Sequence, residues 1–200
     1  MSKSRITLFV VLGAILLIFF NGCSTYNTMV NKEEDGVKKS WQQIQVQYQA
    51  RMDKTKNLFE IVLANANYEK STMTEIIEAR SNATKINLNV DDLSDENIAK
   101  IQKAQDQFGS ALGKLLAISE NYPELKANDA FRDFQAQYEG MENRIAYART
   151  EYNDKVGDYN SYIRRFPKNI WAGMFGFEKK GYFDSEVGAD KAPDIKSMRQ

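Results

Sequence analysis

Apolar residues recur along this chain at steps of three and four in four successive stripes, the signature of amphipathic helices. The first, between about Glu33 and Ala66, runs through Trp41, Ile44, Tyr48, Met52, Phe59, Val62 and Ala66, with Thr55 filling its one gap. The second is weaker and passes through Met73, Ile76, Ile77 and Ala83 to about Leu88. The third, Ile98, Ile101, Phe108, Leu112, Leu115 and Leu116, starts after Ser94, an N-cap residue followed by Asp95 and Glu96 where the helix dipole favours acids. It is predicted to stop at Tyr122, because Pro123 disfavours helical geometry in the residue before it. The fourth is the most regular: Phe131, Phe134, Tyr138, Met141, Ile145, Ala148, Tyr152, Val156, Tyr159, Ile163 and Phe166, closed by Pro167. So regular a seam predicts shallow, coiled-coil-like crossing angles.

These stripes predict an all-α fold, a long antiparallel up-and-down helix bundle. Four helices are preferred and three possible. From Glu33 to Leu88 there is no proline and no glycine but Gly36, so a single helix of about 84 Å is conceivable. The fourth helix, Lys126 to Phe166, reaches only about 61 Å, which leaves the extra length without a covering partner. A break at Asn65 to Asn67, two poor helix formers close together, removes the mismatch.

The start of the chain obeys a different rule. Lys3 and Arg5 precede an apolar run from Ile6 to Phe20 broken only by Thr7 and Gly13, then come Asn21, Gly22 and Cys23. That is the order of an export signal. As a helix the run spans about 22 Å, short of the roughly 30 Å hydrocarbon core. Gly22 and Cys23 resemble the lipobox of bacterial lipoproteins, in which the cysteine is lipidated, although Phe20 and Asn21 depart from the usual pattern. Cys23 is therefore the candidate lipid attachment site; an uncleaved single-pass anchor is the alternative, and a cleaved soluble product comes last. Either leading route keeps Lys3 and Arg5 on the cytoplasmic side and exports the rest. The predicted organisation is a signal or anchor over 1–22, a membrane-proximal linker over 23–32, the bundle over 33–167, and an aromatic, glycine-rich strap with a polar tail over 168–200.

Charge and composition narrow the chemistry. The 27 basic and 27 acidic side chains balance, so there is no surplus for clamping nucleic acid, and none is expected as a partner. Histidine is absent and Cys23 is the single cysteine, which excludes an imidazole base, a disulfide within the chain and a cysteine zinc site. No metal or cofactor is expected. The polar stretch Asn87, Asn89, Asp91, Asp92, Ser94, Asp95 and Glu96 lacks the glycine and glutamate of a calcium loop and reads as a solvated turn and helix cap. Glu75, Glu78 and Glu142, placed facing inward, invite comparison with di-iron bundles, which need Glu-x-x-His on two helices. Glu142, Arg149, Asn153 and Asn160 follow one side of the fourth helix at steps of seven, four and seven. They are read as a structural polar layer, satisfied by Arg51 or Arg80 from facing helices, with a partner groove as the alternative.

Several local patterns resemble one family. They are YNTMV at Tyr26 to Val30, Trp41, Ile44, Arg51, Arg80, YPELKAN at Tyr122 to Asn128, Phe131, and the run from Glu142 through Arg149, Tyr152, Asn153, Tyr159 and Asn160 to Phe166 and Pro167, with Tyr182 and Phe183. On these the chain resembles the LemA family of bacterial membrane-associated proteins. The resemblance implies an N-terminal membrane element followed by a helical bundle, and it carries over no catalytic set.

The strap holds Ile170, Trp171, Met174, Phe175, Phe177, Tyr182 and Phe183, interleaved with Gly173, Gly176 and Gly181. So apolar a segment must be buried, either folded back on the bundle or docked in the membrane interface. Two functional classes stay open: a non-enzymatic, membrane-anchored scaffold or adaptor of the cell envelope, held through residues 1–23 and meeting other envelope proteins, or an enzyme using only carboxylates and tyrosines in a bundle groove.

Overall fold

The computed structural model describes residues 3–64, 70–86 and 90–184, and among them every regular element is helical. Helix α1 (Lys3–Asn31) passes through a π-helical turn (Lys32–Lys38) into α2 (Lys39–Ala64) without a break. This continuous helix is about 93 Å long. Residues 23–32, expected as a linker, are therefore helical. The buried face also begins earlier than the apolar stripe, at Gly22, Thr25 and Met29, and continues through Val37, Trp41, Ile44, Tyr48, Met52, Thr55, Leu58 and Val62. Gly22 and Thr25 carry no apolar signal of their own, because what covers this end of the helix comes from the far end of the sequence.

The predicted break at Asn65 to Asn67 lies outside the described residues, as do Ala66, Leu88 and the side chain of Phe59. The next described helix, α3 (Lys70–Lys85), runs back along the bundle. Glu75 near its start pairs with Lys114 at 2.7 Å, whereas Asp91 beyond its end pairs with Lys38 at 2.8 Å, near the start of α2. Helix α4 (Asp95–Ile118) leads away again, capped by extended Ser94 with Asp95 and Glu96 in its first turn. It ends in a 3-10 turn, Ser119–Asn121, and Pro123 opens the short α5 (Pro123–Ala127). Helix α6 (Asp129–Arg164) returns, starting later than expected because the Asn128 carboxamide accepts from the Ala130 and Phe131 amides at 3.0 and 3.2 Å. Four long passes, away, back, away and back, settle the choice between four helices and three.

Ten positions of the α6 seam, Phe131 to Ile163, are buried or half-buried. Phe166 is the exception at 81% exposure, since it lies past the helix end. Ile77 in the second stripe is likewise exposed. After Phe166 the chain forms α7 (Lys168–Phe175), stopped by Gly176 at φ 75°, where the Phe177 amide bonds back to the Ala172 carbonyl at 3.0 Å. Residues 177–184 then run extended along the bundle.

Candidate functional site

The core is divided in two. One apolar cluster, at the α1 end, gathers Trp41, Ile44, Tyr48, Ile98, Ile101, Ile145 and Tyr152; the other, toward the far end, gathers Met52, Leu58, Phe108, Leu112, Phe131 and Met141. Arg51 sits at the border with its side chain 1% exposed. Its Nη1 donates to Glu142 Oε1 at 2.9 Å, and its Nη2 donates to the Gln105 carbonyl at 2.9 Å and to the Gln105 carboxamide oxygen. The guanidinium also lies over the Phe108 and Tyr48 rings, 5.3 and 5.7 Å from their centroids. One cation thus ties α2, α4 and α6 together. A Cβ at Gly109 would stand 3.1 Å from Arg51 Nη1, so the arginine head uses the space that this glycine leaves. Tyr138 donates to the Gly109 carbonyl at 2.8 Å, and burial, helped by the Glu142 charge, pushes its hydroxyl up to about 12.

A second arginine repeats the arrangement two turns along α6. Arg149 Nε donates to the Tyr48 hydroxyl at 3.0 Å and Nη2 to Asp106 Oδ1 at 2.7 Å, with the guanidinium 5.2 Å from the Phe183 ring centroid. Burial raises the Tyr48 hydroxyl as well, against the pull of Arg149.

Asn153 and Asn160, expected in the same layer as Glu142 and Arg149, do something else: they hold the tail. Asn160 donates to the Lys180 carbonyl at 2.8 Å and accepts from the Lys180 amide at 3.0 Å. Asn153 does the same for Phe183, at 2.8 and 2.9 Å, and Gln102 for Asp184, at 3.0 and 2.9 Å. Each carboxamide uses one of its N–H donors and its oxygen on the C=O and N–H of a single tail residue, as a neighbouring strand would. Between these contacts the Gly181 amide donates to the Leu93 carbonyl at 2.7 Å, so close to Asp95 that a Cβ would fall 2.6 Å from its Cα. Asn153→Ala and Asn160→Ala are each expected to speed hydrogen exchange, at the Phe183 and Lys180 amides respectively, by about tenfold or more, since each removes two hydrogen bonds. Unchanged exchange at those amides would show that the carboxamides do not retain the tail.

The expected single layer is thus three separate devices. Arg80 is half-buried on α3, where its carbonyl accepts from the Thr84 hydroxyl at 2.7 Å. Glu75 and Glu78, expected to face inward, are exposed, and Glu75 is spent on Lys114. They line an open groove along α4 with Lys103, Asp106, Lys114 and Glu142. Asn87 and Asn89 lie outside the described residues; Ser94 caps α4 by backbone geometry without a side-chain bond. Cys23 is exposed on α1. Gln105, Asp106 and Gln102 carry no expectation from the sequence, and Tyr48 is expected only as a member of the first apolar stripe. Gln105 had a signal: it occupies the gap in the third stripe between Ile101 and Phe108.

Residues 40–196 match the model of the LemA family. Among curated relatives, the magnetosome proteins MamQ 1 and MamQ 2 of Paramagnetospirillum magneticum are each 29% identical over 182 residues, 82% of this chain and 66% of theirs. The magnetosome protein MamQ of Magnetospirillum gryphiswaldense is 26% identical over 209 residues, 95% of this chain and 76% of its own. The chain spans about two thirds of the length of the first two.

Proposed function

The chain belongs to the LemA family, and from that premise we propose that it is a non-enzymatic, membrane-anchored helical scaffold or adaptor of the bacterial cell envelope, its N-terminus cytoplasmic and its bundle exported. The observation that carries this reading is the unbroken helix from Lys3 to Ala64. Its segment from Ser4 is the one helix among the described residues long and apolar enough to cross a membrane, and Ile6 to Phe20 lie on it with their large side chains exposed. Nine residues after Phe20 the same helix begins to supply the core, with Met29 and then Val37, Trp41 and Ile44. Anchor and bundle then form one rigid body, which transmits position rather than flexing about a tether.

An enzyme relying on carboxylates and tyrosines is less well served. Burial raises the hydroxyls of Tyr48, Tyr138, Tyr152 and Tyr159, which keeps them protonated and unavailable as bases at neutral pH. The open groove along α4, acidic on its α3 side, fits a partner surface better than a site that excludes water. Photo-crosslinkers at Lys103 and Gln107 on the groove wall should capture defined envelope proteins in intact cells, whereas one at Tyr147, exposed on α6, should not. Equal capture at the three positions would remove the adaptor role.

Cys23 is the candidate lipid attachment site for the other route to the membrane, in which cleavage ahead of it removes residues 1–22 and a lipid takes the place of the apolar helix. Its exposure at the foot of the bundle supplies the access that acylation needs. Cells fed an alkyne fatty acid should label the wild type and not Cys23→Ser; equal labelling of both, or of neither, rejects the assignment.

A further inference from the structure

We infer that α7 and the residue pair ahead of it form a membrane foot, a short helix seated in the headgroup region of the bilayer beside α1. The inference rests on the anchored reading above and concerns a different surface.

The exposed apolar side chains are unevenly placed. Away from α1, Val46, Ile77, Tyr147 and Tyr182 are scattered singly, but Phe166, Ile170, Met174 and Phe175 are gathered within ten residues. Phe166, Ile170 and Met174 follow a four-residue step, with exposures of 81%, 55% and 62%. The other side of α7 is already used: Ala172 is buried, and Trp171 packs on Gly22 so tightly that a Cβ there would lie 2.9 Å from the indole. The Phe175 ring meets Tyr26 edge to face at 5.0 Å between centroids.

Those two contacts also set the depth. Trp171 lies opposite Gly22 and Phe175 opposite Tyr26, so α7 runs beside α1 in the same direction, its first residues toward the apolar segment. Gly22 is two residues past Phe20, the last residue of that segment, which corresponds to about 3 Å along the helix. Phe166 and Ile170 therefore stand at the level where the apolar segment ends. With Ile6 to Phe20 in hydrocarbon, they meet the boundary between acyl chains and headgroups, where a tryptophan such as Trp171 is also favoured.

Charge agrees with this placement. Residues 164–180 contain five basic side chains and a single acid, Glu178. Lys180 is spent on Glu33, at 2.5 Å, and Lys168 lies over the Tyr162 ring at 3.8 Å. Arg164 and Arg165 are exposed beside the apolar stripe, an arrangement suited to anionic headgroups. The partner is thus an anionic phospholipid surface. A lipid on Cys23 would emerge from the same end of the bundle, so both anchoring routes present α7 to it.

The test uses the full chain with Cys23→Ser, reconstituted in vesicles of phosphatidylglycerol and phosphatidylcholine. A nitrobenzoxadiazole label is placed at Ile170→Cys or, for comparison, at Tyr147→Cys, which is 72% exposed on the bundle. Flotation first establishes whether the chain is membrane-bound. The label at residue 170 should be blue-shifted and quenched several-fold more by shallow doxyl lipids than the label at 147, and less so in phosphatidylcholine alone. A chain that floats with both labels quenched alike overturns the foot and leaves the anchor standing. A chain that stays in the aqueous fraction overturns the anchor and the foot together.

Discussion

Tyr152→Ala is expected to destabilise the bundle by about 3 to 5 kcal/mol, as removal of a large buried aromatic does. The side chain is fully buried mid-seam on α6. Its ring meets Trp41 at 5.8 Å and Phe183 at 5.4 Å, both edge to face, so one truncation loosens α2, α6 and the tail together. The hydroxyl has no hydrogen-bond partner among the described residues. Tyr152→Phe should therefore be nearly neutral, which assigns the loss in the alanine variant to the ring. The two also differ with pH. Burial raises the Tyr152 hydroxyl, so the stability that its neutral form retains is complete below about pH 10, where tyrosines of the unfolded chain begin to ionise, and is lost as pH rises above it. Tyr152→Phe should show a shallower alkaline decline than the wild type. Lys103→Ala on an exposed face should change stability by less than about 0.5 kcal/mol. Urea midpoints at constant m-value decide the matter, and similar midpoints for Tyr152→Ala and Lys103→Ala would mean that the seam is wrongly phased.

Arg51→Ala should cost a comparable amount, about 3 to 5 kcal/mol, for a different reason. It leaves the Gln105 carboxamide and carbonyl without their donor and opens a gap against Phe108. Glu142 is only partly buried, with 34% of its side chain exposed, so water takes over much of its solvation when the arginine is lost. Glu142→Gln should accordingly cost about 1 kcal/mol, since the amide oxygen still accepts from Nη1. Combining Arg51→Met, which fills the volume without a charge, with Glu142→Gln should recover part of the loss seen in Arg51→Ala. The arginine lies where the two apolar clusters meet, and a polar contact at such a border fixes the register of α2 against α6. Native mass spectrometry and amide exchange on the Met/Gln pair report register: a stable but more heterogeneous bundle is the expected result. An Arg51→Ala variant within about 0.5 kcal/mol of wild type would mean that this contact holds nothing.

The long helices were legible because their physical cause is local. A helix that buries one face must repeat apolar residues at its own period, so the α6 seam and the α4 stripe can be read with no knowledge of what covers them. The end of α4 and the start of α6 were predicted a few residues off. Pro123 does forbid the helix to run on, but it opens α5, and the cap at Asn128 selects the first residue of α6 by hydrogen bonds that composition does not rank.

The polar residues were legible as a set and not in their partners. Asn153 and Asn160 look like members of one layer with Glu142 and Arg149 because all four share a side of α6. Their partners lie 20 to 30 residues away in the tail, while those of Arg149 lie about 43 and 101 residues away on α4 and α2. A carboxamide serves equally well beside a guanidinium or a peptide group, so its residue type does not select between them.

Helical class, the seams and the apolar start followed from the sequence alone, because periodicity and propensity act between residues a few positions apart. Tertiary structure decided the rest: that the anchor and the first bundle helix are one rod, that Gly22 is a seat for Trp171, and that the asparagines bind the tail. The last two join surfaces separated by tens to more than a hundred residues, and their complementarity exists only once the four passes have brought the tail and α7 back along the bundle.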